Sequence, residues 1–522
     1  MKKLTKLIPF FAVFIFISYN LVWVYTKNLI ENEITSSNLN KDYLLLDSLD
    51  RPQINSKYKK NPLLYFLKNK REIISNLFYL NPELIAKKPV DYKIILSNKD
   101  QNFLDSTISI ATKYAMFPKS LKKWRKSNLI YDGNNYRVKF KLHGSSISPY
   151  LQDKLSIRVK SSKLINGMKE FTLISCLEMD YKNIFLNSLG RDYNLITEDP
   201  GTISSLLIGN VISDFFVFEK LDQSYVKDEF NRDLIRIFKK NKTPYNHASE
   251  FDEVYYNLEN WDSSSNELEI MSLNKYSDLL KSNYNLTKIE KEYIGRFLAL
   301  IYLFGSSHQI NGDNEVWLGL KDEFVPLYRN ENEIKSYIPI NKKKFDNHIF
   351  TTDKPESSSL NKYKRFLIDD DVRNFRNTTF NHIIKNKKHI LKKFDSIYSL
   401  YEETHKRYNS KYLTIKLQHD IYKNIIRENI EIISKYLKIN TIYSIHQKDT
   451  FKIVTDSYVP LKLLIGENEF KINPRKYYLD IDKNINHNIK EERIFINSDF
   501  RDYRIINSIT GDTIKKKITK FE

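Results

Sequence analysis

Apolar positions along this chain follow three regimes. The first is a continuous run over residues 7–25, broken only by Pro9, Ser18 and Asn20 and free of charge. Its nineteen residues would rise about 29 Å as a helix, matching the ~30 Å hydrocarbon core of a bilayer. A cleaved signal peptide has a shorter apolar region, ~7–15 residues, ending in small side chains. Here the run ends Trp23-Val24-Tyr25-Thr26-Lys27, with two aromatic residues suited to the membrane interface. The pattern predicts an uncleaved single-pass anchor. Lys2, Lys3 and Lys6 before it place the N-terminus in the cytoplasm and residues 28 onward outside.

The second regime is alternation at a period of two. Tyr136-Arg137-Val138-Lys139-Phe140-Lys141-Leu142 alternates strictly, and Leu155, Ile157 and Val159 alternate with Ser156, Arg158 and Lys160, which predicts two neighbouring strands. Tyr92 to Leu96 and Trp317 to Leu320 also read as strands, and the wholly apolar Phe215-Phe216-Val217-Phe218 reads as a buried one. The third regime is helical. Ile421, Ile425, Ile426, Ile430, Ile433 and Leu437 recur at helical spacing, a stripe that belongs to a core. Residues 225–300 read as mostly helical. After residue 441 short β-like pieces, among them Phe451 to Val454, Leu461 to Ile465 and Phe470 to Ile472, alternate with polar turns. The resulting division is an anchor (1–27), a proline-punctuated stalk (28–90), a main domain (91–440) and a small β domain (441–522).

Composition changes this picture in two ways. Lys and Arg number 84 against 64 Asp and Glu, a net charge of +20. The excess is spread along the chain instead of gathered into a patch, so nucleic acid is not the expected partner. A basic exterior suits anionic headgroups or acidic glycans. Cys176 is the single cysteine, which excludes an intrachain disulfide or a cysteine metal cluster.

Phosphate-binding glycine loops, zinc-protease helices, nucleophile elbows and dinucleotide fingerprints are all missing from the sequence. What remains is a set of short signals in a fixed order. A strand leads into His143-Gly144-Ser145-Ser146, and a strand headed by Lys154 follows. A helix around 180–189 precedes Gly190-Arg191, and a further strand ends Phe218-Glu219-Lys220. Last come His308-Gln309-Ile310-Asn311-Gly312-Asp313-Asn314 and Pro326-Leu327-Tyr328-Arg329-Asn330.

In that order, over roughly residues 90–350, the chain resembles the CotH family of kinase-like proteins. The resemblance implies an α+β, atypical protein-kinase-like two-lobed domain between the transmembrane helix and the small C-terminal β domain. It implies ATP and magnesium, with Lys154 on the nucleotide phosphates, Glu219 near the hinge between lobes, and Asn314 and Asn330 at the metal. His308 is a candidate base. Asp313 beside Asn314 makes an oxygen-rich pair of the kind magnesium takes, although Gly-Asp-Asn is also a common turn.

The departures bear on activity. The family's loop arginine is His143, the aspartate expected five residues before Asn314 is Gln309, and the one expected after Pro326 is Asn330. Either Asp313, Glu331 or another acid takes over the metal, or the chain keeps a fold without the chemistry. Two functions follow: phosphoryl transfer to an envelope protein or glycan in surface or exopolysaccharide assembly, and a non-catalytic pseudokinase scaffold that holds a polysaccharide or protein partner. A glycan transferase is a third possibility, resting on Asp480-Ile481-Asp482 alone.

Overall fold

The computed structural model describes residues 90–517, apart from 115–122, 144–155, 176–180, 210, most of 240–284, 306–307, 311–314, 330–333, 336–344, 349–357, 409–411, 439–441 and short stretches between the C-terminal strands. The anchor expected at 7–25 lies outside these residues. Among the described residues no helix is long and apolar enough to cross a membrane. Two compact units emerge. One holds the described residues up to 184 with 201–220 and 395–424; the other holds those of 185–200, 221–394 and 425–522.

The first unit is built on β1 (Tyr92–Ile95), β2 (Arg125–Tyr131), β3 (Asn134–Leu142), β4 (Ile157–Ile165), β5 (Met168–Ser175), β6 (Thr202–Ile208) and β7 (Val211–Glu219), with helix α1 (Asn98–Tyr114) following β1; α2 (Tyr181–Asp192) starts in this unit and belongs to the second from Phe185 on. The strands close into a barrel in the order β1-β2-β3-β4-β5-β7-β6. Two of its hairpins turn on two residues with positive φ, Asp132-Gly133 and Asn166-Gly167. That backbone matches the right-handed twist of the flanking strands, and Gly adopts it without a Cβ penalty. The expected pairing of the Tyr136 and Ile157 strands is present, with Leu142 opposite Ile157 and Phe140 opposite Val159.

Closure comes from parallel pairing of β1 with β6, Tyr92 opposite Leu206 and Ile94 opposite Ile208. Asp91 clips that seam: its Oδ2 accepts from Ser205 N at 2.8 Å and Ser205 Oγ at 3.0 Å, while its own N–H donates to Ser205 Oγ at 2.8 Å. Alternate residues such as Ile94, Phe140, Val159, Phe171, Leu206 and Val217 form the buried interior. Burial at ~25 cal/mol per Å² favours closing the sheet on itself over leaving one apolar face open.

This architecture corrects the two-lobed kinase-like expectation. The strands between 92 and 219 form a closed seven-stranded barrel, where the resemblance implied a two-lobed kinase-like domain. Alternating hydrophobicity reports which face is buried, and an open sheet and a closed barrel share that alternation.

The second unit contains α3 (Gln223–Phe230), β8 (Leu234–Lys239), α4 (Lys288–Phe304), β9 (Val316–Leu320) and β10 (Phe324–Pro326). Then come α5 (Phe345–His348), α6 (Ser358–Ile368), α7 (Asp370–Lys385), most of the first turns of α8 (Lys387–Tyr408) and the second half of α9 (Tyr412–Leu437). The region read as mostly helical therefore also holds β8, which pairs antiparallel with β9. Helix α4 is apolar on nearly every face and buried from Tyr293 to Phe304 apart from Arg296. Thr287 and Glu290 form a capping box at its N-terminus, and Gly305 ends it with a left-handed backbone.

Helix α4 meets α7 at Gly295. A Cβ there would lie 2.6 Å from Phe375 Cβ and 2.9 Å from both Arg376 N and Val372 O. Gly295→Ala should destabilise the unit by about 1–3 kcal/mol through overpacking, outweighing the ~1 kcal/mol that Ala gains over Gly in a helix. Thermal denaturation of the variant checks the sign, and a raised midpoint would show that the helices can separate freely.

The strands after α9 fall in this second unit together with 221–394. They are β11 (Ile442–Gln447), β12 (Thr450–Thr455), β13 (Leu461–Ile465), β14 (Asn468–Ile472), β15 (Arg475–Leu479), β16 (Ile485–Ile489), β17 (Glu491–Phe495), β18 (Asp502–Asn507) and β19 (Thr513–Lys517). Asn507 Nδ2 donates to Leu437 O at 2.7 Å and Asn381 Nδ2 to Ile509 O at 2.7 Å, so buried amides tie the strands to the helices.

Candidate functional site

Of the residues singled out in the sequence, Lys154, Asp313, Asn314 and Asn330 lie outside the described residues, as does Asp480-Ile481-Asp482. Glu219 ends β7, half-buried, on the strand face that carries the interior residues Phe215 and Val217, opposite Phe171. It belongs to the first unit. His308 opens a single 3-10 turn, His308–Ile310, in the second. Gly190-Arg191, expected after a helix, form the last turn of α2.

Around that turn the second unit assembles a polar cluster. Gly190 sits where a Cβ would strike Tyr328 Cδ1 at 2.6 Å and Thr197 Cγ2 at 2.8 Å, so only glycine lets the segments meet. Thr197 bridges to Tyr328, and Tyr328 N donates to Ile196 O at 2.9 Å. Arg191 spreads its guanidinium over three acceptors: Glu229 Oε2 at 2.6 Å, Tyr225 Oη at 2.6 Å and Thr197 Oγ1 at 3.3 Å. Burial pushes the Tyr225 and Tyr293 phenols above their ordinary range, so both stay protonated.

Gln309 occupies the place where the resemblance implied an acid. It is 4% exposed. Its Oε1 accepts from Arg329 N at 2.9 Å, and its Nε2 is buried with no hydrogen-bond partner among the described residues. Arg329 in turn lies 3.5 Å from Glu198. An amide neither takes up nor releases a proton at ordinary pH. This arrangement can orient and bind; general acid–base chemistry would need another group.

Among the described residues no three His, Cys, Asp or Glu side chains are placed to hold a metal ion. The residues assigned to ATP and magnesium fall mostly outside the description, so no binding set is assembled here for either.

Two clusters had no counterpart in the sequence reading. In the first unit Tyr181 Oη lies 3.3 Å from His419 Nδ1, His419 Nε2 lies 3.1 Å from Asp395 Oδ1, and Lys423 donates to Asp395 Oδ2 at 2.7 Å. Tyr398 stacks on the imidazole at 4.1 Å. The order Tyr-His-Asp resembles a proton relay, but Tyr181 is 1% and His419 6% exposed, which closes it to a substrate. Desolvation lowers the His419 pKa below its ordinary 6.5, against the Asp395 hydrogen bond and the Asp420 charge, with Lys423 adding to the lowering.

The folded ring therefore binds its proton less tightly than in the unfolded chain, which takes the proton first as pH falls. The stability this supplies is complete above about pH 6.5 and is lost as pH falls below that value toward the folded pKa. The melting temperature should fall between pH 7.5 and 5.5, and His419→Gln should fall less. Equal falls would remove His419 as a cause.

The other cluster surrounds Arg373 and Arg475. Spacing gave no hint of it, because its residues are drawn from α7 and from strands about a hundred positions later. Compared with known proteins, the chain matches no family model and no curated protein sequence.

Proposed function

We propose that this chain is a single-pass membrane-tethered scaffold of a cell envelope, which holds a polysaccharide or protein partner without acting on it chemically. One observation carries the reading. The position where the resemblance implied an acid is Gln309, whose buried amide is engaged with the Arg329 backbone. The charge-bearing groups around it, Arg191 with Glu229 and Arg329 with Glu198, are paired with one another. The uncharged run at 7–25 and the lysines before it support the tether and its orientation. The excess of 84 basic over 64 acidic residues supports a polyanionic partner.

The test uses the full chain in detergent micelles. Immobilised, it should retain the polysaccharide fraction of its own cell envelope, and retention should weaken with rising salt. Incubated with labelled ATP, magnesium and the same fraction, it should transfer no label. Label appearing on polysaccharide or protein, and disappearing with a Glu198→Gln or Arg329→Ala variant, would overturn the scaffold reading.

A further inference from the structure

The outer face of β2, β3 and β4 gathers basic charge that reads along the sequence only as a diffuse excess. Val138, Phe140, Ile157 and Val159 fill the barrel interior, so the alternate positions of these strands point outward. Lys126 on β2, Arg137, Lys139 and Lys141 on β3, and Arg158 and Lys160 on β4 occupy them. Lys126, Arg137, Lys139 and Lys160 are exposed.

Register sets these cations against one another. Lys126 lies opposite Lys139, Lys139 opposite Lys160, and Lys141 opposite Arg158. Paired strands run about 4.8 Å apart and successive outward residues about 6.8 Å apart, so the charges form a grid. Like charges directly opposite each other destabilise a sheet. Among the described residues no carboxylate pairs with Lys126, Arg137 or Lys139. Glu170 on β5 stands at the margin and is shared by three cations, Arg158 at 3.9 Å, Lys160 at 3.6 Å and Lys220 at 3.5 Å.

The fold itself gains nothing from this face. Lysines often guard a sheet edge against pairing with another chain, but a closed barrel has no edge to guard, and β2, β3 and β4 are each paired on both sides. Opposite charges would serve the strand pairing better, as Lys160 opposite Glu170 illustrates. Relief of the repulsion must come from an external polyanion. The convex outside of a barrel would touch a bilayer only along a narrow strip, and the six positions hold no apolar side chain to enter its interface. Nucleic-acid bases need open aromatic platforms, whereas Trp124 beside the grid has Lys141 over its ring at 4.6 Å.

We infer that the outer face of β2–β4 binds an acidic polysaccharide, a flexible chain whose repeated negative charges follow Lys126, Lys139 and Lys160 across the strands. Such a polymer bends over the convex surface and meets several cations at once, so weak contacts add up through their linkage. Lysine suits this role, because a mobile ammonium reaches carboxylates at unequal spacing where an arginine fork demands a fixed plane. That the polymer is a polysaccharide rests on the scaffold reading; its charge and its place on the barrel rest on the strand register.

Fluorescence anisotropy of labelled polygalacturonate, titrated with the full chain in nonionic detergent micelles, tests this. Polygalacturonate should bind, rising salt should weaken it, and uncharged dextran should not bind. Lys126→Gln, Lys139→Gln and Lys160→Gln together should weaken binding about tenfold or more. The melting temperature of that variant should hold or rise, since facing like charges are removed. A second triple variant, Lys385→Gln, Lys388→Gln and Lys392→Gln, removes the same charge from exposed positions on α7 and α8 and should bind within about twofold of wild type. Absence of polygalacturonate binding, equal losses in the two triple variants, a lower melting temperature in the first, tighter binding of oligodeoxythymidylate, or displacement of the polymer by phosphatidylglycerol in the micelles would each overturn the inference. Retention of the envelope polysaccharide fraction is measured on the same preparations. Undiminished retention by the first triple variant sinks this face and leaves the scaffold reading. Transfer of label from ATP, with polygalacturonate still bound at the face, sinks the scaffold reading and leaves the face.

Discussion

Arg376→Met should cost the second unit about 3–5 kcal/mol, the range for removing one partner of a buried ion pair. Arg376 is fully buried and pairs with Asp346 at 2.7 Å, whose side chain is 5% exposed. The second nitrogen of the fork donates to Tyr436 Oη at 2.7 Å, and Tyr302 donates to the Asp346 carbonyl at 2.6 Å. Around this pair stand the rings of Tyr302, Phe380 and Tyr436, each within 5.4 Å of the guanidinium carbon. Methionine fills a similar volume, so the cost is that of a carboxylate left in an apolar setting without its cation.

The double variant Arg376→Met with Asp346→Leu separates the two effects. It should recover most of the loss, because replacing both members of a buried pair by apolar groups is often neutral. Chemical denaturation of all three proteins measures this. A single variant within about 1 kcal/mol of wild type would mean that water reaches Asp346.

Trp317→Ala should be comparably damaging, about 3–5 kcal/mol for emptying a fully buried indole site. Trp317 is 1% exposed and stacks on Phe324 at 5.1 Å and Tyr363 at 6.0 Å, with Phe366 edge-on at 6.3 Å. The indole N–H also donates to Glu315 Oε1 at 2.6 Å, and Glu315 is itself buried. Alanine thus leaves both a cavity and a carboxylate without its donor. Trp317→Phe keeps most of the volume and loses only the N–H, so it should cost about 1–3 kcal/mol, the penalty of an unmet buried acceptor. If the two variants cost the same, packing contributes little and the hydrogen bond carries the site.

The elements read from the sequence and those of the structure agree where the signal is local. The strand at Tyr136 to Leu142 lies within β3, the apolar run at Phe215 within β7, and the isoleucine stripe along α9, where Ile426, Ile430 and Ile433 are at most 1% exposed. Two hairpins carried a local signal that went unread. Asp132-Gly133 and Asn166-Gly167 are dipeptides that favour two-residue turns, and each joins consecutive barrel strands. The site residues were less legible. Gln309 stood out only as a departure from a family pattern, and its buried bond to Arg329 N spans twenty positions.

What the sequence determined by itself is therefore the set of elements and their buried faces. Periodicity of two or 3.6 is a property of neighbouring residues and needs no knowledge of the partner surface. Closure of the barrel is a different kind of fact. It depends on β1 meeting β6 across more than a hundred residues, with Asp91 and Ser205 making the clip. The cluster of Arg373 and Arg475 likewise exists only once α7 and β15 are packed in one unit. Long-range pairing of this sort is settled by total burial and by polar groups finding partners, and an alternating strand is compatible with either an open sheet or a closed one until those partners are in place.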